Sequence, residues 1–227
     1  MSQAPLTLHK YPFDITDLIN YKNKKSYYCL SIDPGRKNLG FGIMKISKGK
    51  NRIATVVRET MTKVDYDYYA SFFNTYDYSN IDMIVIEKQL CQNTSISNIS
   101  KNIISYFVCR VDAIVIEVSP RLKSTMLDCP KGTKGKNLKL WEINTALDIL
   151  LESSDKRGIK IFLDECNDSD LSDFRDDVYN STVRARLSRK YKLDDKATII
   201  VQLIALLKWL KTGNNIGKLQ KKIDLFV

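Results

Sequence analysis

An α/β fold is predicted, with helices flanking a mixed five-stranded sheet: an antiparallel meander of three strands continued by parallel strands. Three observations lead there. The run YYCLSID from Tyr27 to Asp33, the segment Asn38 to Ile46 and the segment Arg52 to Thr60 have strand character and short connections, as a meander requires. The apolar runs Ile81 to Glu87 and Asp112 to Val118 lack alternation and read as parallel strands buried on both faces. Helical periodicity separates and follows those two runs, so the second half carries βαβ crossovers.

Taken in order, residues 1–26 form a polar, lysine-bearing N-terminal arm. The main domain spans 27–211, and a basic tail covers 212–227. Pro34 and Gly35 build the first turn, while Gly40 and Gly42 allow close backbone approach within the second strand. Tyr68, Tyr69, Phe72, Phe73 and Tyr76 recur at helical spacing in 65–77, which favours aromatic core packing over base stacking. A further helix is expected over 94–109, and SPRLKSTML starts another helix or turn after the fifth strand. The glycine- and lysine-rich segment Cys129 to Lys139 reads as a mobile loop before the helix LWEINTALDILLE. Residues 155–192 are treated largely as an insertion, with IKIFLDE as a possible strand within it. Leu193 to Leu210 is the clearest helix, with Asp194 and Asp195 in its first turn, where the macrodipole favours negative charge.

Composition narrows the chemistry. The 36 basic and 26 acidic residues give a net charge of +10, which suits a polyanionic partner. No apolar run approaches the roughly 18 residues that span a bilayer, and the start MSQAPLTLHKYP lacks a secretory core. An intracellular protein is expected, in a reducing compartment given five cysteines without an export signal. Those cysteines (Cys29, Cys91, Cys109, Cys129 and Cys166) form no C-x-x-C pair, and His9 is the single histidine, which argues against structural zinc and against a histidine-activated nucleophile. The stretch DPGRKNLGFG lacks the GK[ST] ending of a phosphate-binding loop. Hydrolytic chemistry therefore has to rest on carboxylates or lysine.

Three acidic positions sit where secondary structure would fix them. Asp33 ends the first strand, Glu87 ends the fourth, and Asp194 and Asp195 open the last helix. Clustered carboxylates repel unless a cation compensates them. Mg²⁺ or Mn²⁺ would do so, and two ions about 3.5–4 Å apart would support phosphodiester hydrolysis without histidine. Each residue also has a local explanation, as turn former, strand-end charge or helix cap.

The motifs SIDPGRKNLGFGI, IVIEKQ, VSPRLKSTML with KGTKGKNLKLWEINTALDILL, and KLDDKATIIVQLIALLKWL occur in this order. In that order they resemble the RuvC-like Holliday junction resolvases of the RNase H fold, and look closest to the branch of poxviruses, other large DNA viruses and mitochondria. The resemblance implies an endonuclease that resolves four-way DNA junctions by metal-dependent symmetric hydrolysis, acting as a homodimer on branched DNA. It implies metal binding by Asp33 and Glu87, and an active-site role for Lys123. The last motif departs from the family pattern: Asp195 fits its earlier acidic position as a metal ligand, but Thr198 stands at the later one, and Asp194, one turn before it, is expected to substitute in part as a ligand. The alternative is thus a catalytically weak or silent branched-DNA-binding protein of the same fold. A general nuclease of this fold is a third outcome, and an actin-like ATPase or sugar kinase would need a second domain. Phosphate contacts are expected from Lys131, Lys134, Lys136 and Lys139, and from Arg184, Arg186, Arg189, Lys190 and Lys192. A viral factory in the host cytoplasm is the expected setting, with nucleus or mitochondrion as other settings that suit the chain.

Overall fold

Six strands hydrogen-bond into one sheet in the order β1-β6-β5-β2-β3-β4. They are β1 (Leu6–Leu8), β2 (Ser26–Asp33), β3 (Asn38–Ser47), β4 (Lys50–Thr60), β5 (Ile81–Glu87) and β6 (Ile114–Val118). The structure, a computed structural model, describes residues 6–8, 24–35, 37–47, 50–60, 66–89, 94–177 and 179–212, with backbone alone at 6–8, 50–51, 56–60, 66, 175–176 and 189. His9, Cys91, most of the expected arm and the tail after Thr212 lie outside the described residues.

The meander is present: β2 pairs antiparallel with β3, and β3 with β4. Strand β5 then joins β2 in parallel, and β6 joins β5 in parallel. The expected mixed sheet of five strands is therefore seen. A sixth is added at its edge, where β1 pairs antiparallel with β6, so part of the N-terminal arm belongs to the sheet.

Helices follow as α1 (Tyr66–Phe73), α2 (Thr94–Arg110), α3 (Arg121–Met126), α4 (Gly135–Glu152), α5 (Lys156–Phe162), α6 (Asp168–Asp176), α7 (Ser181–Tyr191) and α8 (Asp194–Lys211). The central strands are buried on both faces because successive side chains alternate between two helical layers. Cys29 of β2 with Met83 and Val85 of β5 joins the core beneath α4 and α8. Leu30 and Ile32 with Ile84 and Ile86 join the opposite core, beneath α1 and α2. There the aromatics of 66–78 pack as anticipated: Phe41 and Tyr76 lie 4.5 Å apart between centroids, and Phe73 and Phe107 4.9 Å apart.

Two sequence-based expectations change. The segment IKIFLDE is not a strand but most of α5 and the turn after it. Asp155 caps α5 by accepting from the Gly158 amide at 2.9 Å, and also accepts from the Ile53 amide at 2.7 Å, which ties the helix to β4. Gly158, Phe162 and Leu163 are buried while Lys160 is exposed, whereas a strand would turn 158, 160 and 162 to one face. The lysine-rich loop is also shorter than expected, since α4 begins at Gly135 and takes Lys136 and Lys139 into its first turns.

Helix α8 is buried nearly all round, from Lys196 to Trp209, and forms the spine of its layer. It reaches β3 closely because Gly40 has no side chain: a Cβ there would lie 3.0 Å from Ile199 Cδ1 and 3.1 Å from the Asp195 carbonyl oxygen. Gly40 is also the cross-strand partner of Asp33, so the close approach that seats α8 sets the first turn of that helix beside the end of β2. Gly40→Ala is expected to cost about 1–3 kcal/mol by overpacking, read as a lower urea midpoint at unchanged slope. An unchanged midpoint would mean that α8 shifts freely.

Candidate active site

The carboxyl ends of β2 and β5 lie side by side, since Ile32 pairs with Ile86 immediately before Asp33 and Glu87. Gly35 completes the turn after β2; a Cβ there would meet the Asn38 carbonyl oxygen at 2.1 Å, so only glycine fits. The turn brings Asn38 round to donate from Nδ2 to Asp195 Oδ2 at 3.0 Å. Asp33, Glu87 and Asp195 thus lie at the same end of the sheet, delivered by two strands and one helix.

Lys123, on α3, enters from the side. Its ammonium donates to Glu87 Oε2 at 2.7 Å and lies 2.9 Å from Glu142 Oε1. Glu142, on α4, is buried, and its other oxygen accepts from Thr198 Oγ1 of α8 at 2.9 Å. Burial would lower the pKa of Lys123, but Glu87, Glu142 and Asp33 outweigh it and hold the amine protonated, above its ordinary range. Asp33 moves the other way: burial first, then the charge of Glu87, raise its carboxyl well above the usual carboxylate range, against the opposing pull of Lys123, and Asp195 and Glu142 add to the rise. Four carboxylates therefore share one electrostatic environment with one ammonium.

Beneath them, on the same face of the sheet, Gln202 donates from Nε2 to Ser31 Oγ at 3.3 Å and to the carbonyls of Ile32 and Val85, each at 3.4 Å. This amide pins α8 to β2 and β5 just below the two strand-end carboxylates. Its Oε1 is buried and has no hydrogen-bond partner among the described residues.

The other anticipated residues divide. Asp194 pairs with Lys139 across the surface and faces that cation. Lys131 and Lys134 are exposed just before α4 and Lys136 is exposed in its first turn, and Lys139 joins them to the edge of the carboxylate group. On α7 the basic residues largely meet the acidic ones of the preceding helix. Arg186 pairs with Asp170 at 3.2 Å and also with Asp173, and Lys190 pairs with Asp170 at 2.8 Å. Arg184 is buried and bonds to Asp148 at 2.9 Å, which gives it a structural role in joining α7 to α4. Lys192 is exposed in a left-handed cap, and the side chain of Arg189 lies outside the described residues.

Sequence reasoning passed over Glu142, Asn38 and Gln202. Glu142 had a signal: it sits on the face of α4 that carries Ile143, Ala146, Leu147 and Leu150, all buried. A carboxylate on a core-facing stripe needs a partner.

No family model matches the chain, and no curated protein does. Among solved structures, the fowlpox virus resolvase in complex with its substrate Holliday junction DNA is similar at a TM-score of 0.50 and 18% identity, over 82% of this chain and 99% of that one. The chain shares that RNase H-like fold. The yeast mitochondrial Holliday junction resolvase Ydc2 aligns at a TM-score of 0.47 and 14% identity, over 94% of this chain and 92% of its own. Thermus thermophilus RuvC aligns at 0.46 and 12%, over 82% and 96%.

The oxygen-only donor set of Asp33, Glu87 and Asp195 suits a hard divalent cation, and burial followed by the charge of Glu87 raises the Asp33 carboxyl. As the side chains stand, no three His, Cys, Asp or Glu residues among those described are grouped to hold one ion. The ammonium of Lys123 stands between Glu87 and Glu142 as a cation already in place.

Proposed function

We propose that this chain is a structure-selective endonuclease that cuts four-way DNA junctions by divalent-metal-dependent hydrolysis. What supports this reading is that β2 and β5, which end in Asp33 and Glu87, lie side by side with Lys123 bonded to Glu87 and the first turn of α8 tied to the turn after β2 through Asn38 and Asp195, within the fold shared with the fowlpox resolvase. Asp33, Glu87 and Asp195 would hold Mg²⁺ or Mn²⁺, one ion or two, which would supply an activated water and charge neutralisation at the phosphodiester. Asn38 orients Asp195, and Gln202 keeps α8 in register with the two strands. Lys123 is placed to draw a phosphate oxygen into the site once it releases a carboxylate. Asp194 is assigned to positioning, through Lys139.

Lys131, Lys134, Lys136 and Lys139 form the approach along which a DNA backbone would lie. A homodimer fits a junction of matching two-fold symmetry, with the outer faces of α1 and α2 as candidate contacts. Among the described residues no helix is long and apolar enough to cross a membrane, and Cys29, Cys109, Cys129 and Cys166 are free thiols. A reducing cell interior is proposed, with a cytoplasmic viral factory ahead of nucleus or mitochondrion.

The test is cleavage of a labelled four-way junction beside linear duplex and RNA–DNA hybrid, with Mg²⁺ and with Mn²⁺. Paired symmetric nicks in the junction are expected; preference for the hybrid would replace this reading with a general nuclease. A second reading, junction binding without cleavage, is favoured by Thr198 at the position where the resemblance expects an acid. Binding without nicks under either ion, with nicks appearing in Thr198→Asp, would establish it.

The lysine approach has its own prediction. Neutralising Lys131, Lys134 and Lys136 together should weaken junction binding and flatten its log–log salt slope by about 0.9 for each phosphate that the protein no longer neutralises. An unaltered slope would return these lysines to solvent.

A further inference from the structure

At the end of the sheet away from the carboxylates, four cations converge on one groove, and we infer that this groove grips the phosphate backbone of duplex DNA at a distance from the cutting site. The inference rests on the reading of this chain as a nuclease that acts on DNA. The groove has a volume of about 440 Å³ and is lined by Lys45, Arg52, Lys156 and Arg157, with Tyr28 and Asp155 beside them. Tyr28 pairs with Ile81 at the start of β5, whereas Asp33 and Glu87 end these two strands. At about 3.3 Å per residue the groove stands about 17 Å along β2 from Asp33. It also follows the C-terminal end of α4, and that helix of 18 residues sets it about 27 Å from the lysines at the helix start.

Separate segments bring the cations together. Tyr28 of β2 stands opposite Lys45 of β3, which stands opposite Arg52 of β4, and the Lys45 ammonium lies 5.5 Å from the centre of the Tyr28 ring. Lys156 and Arg157 arrive from the connection between α4 and α5. Asp155 fastens that connection to β4, since its carboxylate accepts from the Ile53 amide at 2.7 Å and from the Gly158 amide at 2.9 Å. All four cations are exposed, and none pairs with a carboxylate among the described residues. Asp155, the acid that lines the groove, is buried and turned to those two amides.

Such a grouping opposes folding unless an anion meets it. Like charges directly opposite on neighbouring strands are destabilising, and Lys45 and Arg52 are so placed. On α7 and α8, by contrast, Arg186 and Lys190 meet Asp170, and Lys196 meets Glu165 and Asp164. The chemistry of the groove selects phosphate: its two arginines carry planar forks that match phosphate oxygens. Cations supplied by β3, β4 and the start of α5 suit successive phosphates of a backbone better than one isolated ion. An acidic protein segment would find little apolar surface to bury, since Ile53 belongs to the core and Ala54 is half-buried. A phosphate backbone gains its affinity from charge and counterion release alone.

The test measures binding apart from cleavage. Fluorescence anisotropy of a labelled linear DNA duplex is followed with the full-length protein in chelator over a series of salt concentrations. Wild type is compared with Arg52→Gln plus Arg157→Gln, with Arg52→Lys plus Arg157→Lys, and with Lys101→Gln plus Lys211→Gln, two exposed lysines that line neither basic patch. The arginine-to-glutamine pair should bind about tenfold more weakly, with a log–log salt slope flatter by up to about 1.8, two cations at about 0.9 each. The charge-keeping pair should hold the slope, and the control pair should hold both slope and affinity. Thermal melts of the arginine-to-glutamine pair should lie at or above wild type, because crowded like charges are removed; a clear fall would assign the arginines to folding and overturn the inference. If that pair loses affinity for RNA or for an acidic peptide but not for duplex DNA, the groove belongs to that other partner and the inference fails. Binding equal to wild type, while neutralising Lys131, Lys134 and Lys136 weakens it, would overturn this inference and leave the nuclease reading intact. A wild-type protein that binds neither duplex nor four-way junction would overturn both.

Discussion

Asp33→Asn is expected to lower the rate of junction cleavage by about three orders of magnitude or more while making the metal-free protein harder to unfold. The first effect follows from place: Asp33 ends the strand at the centre of the carboxylate group, beside Glu87, and within reach of the charges of Asp195 and Glu142. An amide keeps the shape but withdraws the charge that would hold the ion. Loss of about 4 kcal/mol of transition-state stabilisation amounts to roughly a thousandfold in rate. The second effect follows from the same crowding. The folded carboxyl has a raised pKa, so it favours the protonated state more than the unfolded carboxyl does; its ionisation opposes folding, and stability falls as pH rises from the ordinary carboxylate range through the folded pKa. Removing the charge removes that opposition. Thermal melts in chelator should therefore place Asp33→Asn above wild type at neutral pH, with the gap closing as pH is lowered and wild-type Asp33 takes up a proton. Cleavage persisting in the variant would reject the metal assignment; a variant melting below wild type would mean that Asp33 is compensated in the native protein.

The parts of this site that could be read from the sequence are those whose position follows from local chain geometry. Asp33 before Pro34 and Gly35, and Glu87 after IDMIVI, sit at strand ends, and two parallel strands bring such ends together without further information. Gly40 could likewise be read as a close approach, although not that Asp195 and Ile199 were what approached it. Glu142 was different in kind. Its role depends on how α4 crosses α8, a matter of packing between side chains 56 residues apart where Glu142 meets Thr198. Arg184 illustrates the same limit from the other side: within RARLSRKYK all cations look alike, and only the fold distinguishes the one buried against Asp148 from exposed Lys192. The acidic run before α7 and the basic run within it also looked like separate features, yet Asp170 and Asp173 meet Arg186 and Lys190, so much of their charge is neutralised locally. Of the cations proposed for phosphate contact, Lys131, Lys134 and Lys136 stand exposed around the start of α4.

Lys123→Met should have the largest effect on stability. The methionine matches the aliphatic stem in size but leaves Glu87 and Glu142 facing each other without the ammonium that lies 2.7 Å from one and 2.9 Å from the other. Removing one partner of a buried ionic group costs about 3–5 kcal/mol, against a total of about 5–15 kcal/mol for a typical domain. At roughly 2–4 °C per kcal/mol for a chain of this size, the melting point in chelator should fall by roughly 6–20 °C. A divalent cation offers a replacement charge, so Mn²⁺ should raise the melting point of Lys123→Met by more than it raises that of wild type, where it has to displace the amine first. Adding Glu87→Gln to the variant should restore part of the missing stability without metal, because one of the two opposed charges is gone, and should reduce the Mn²⁺ effect at the same time. If Lys123→Met melts with wild type in chelator, the two glutamates are relieved by some other route, such as taking up a proton, and the ammonium is not what holds the metal-free site together. If it melts low but Mn²⁺ gives no added protection, the lysine is a structural cation alone, and the exchange of one positive charge for another at Glu87 and Glu142 does not occur.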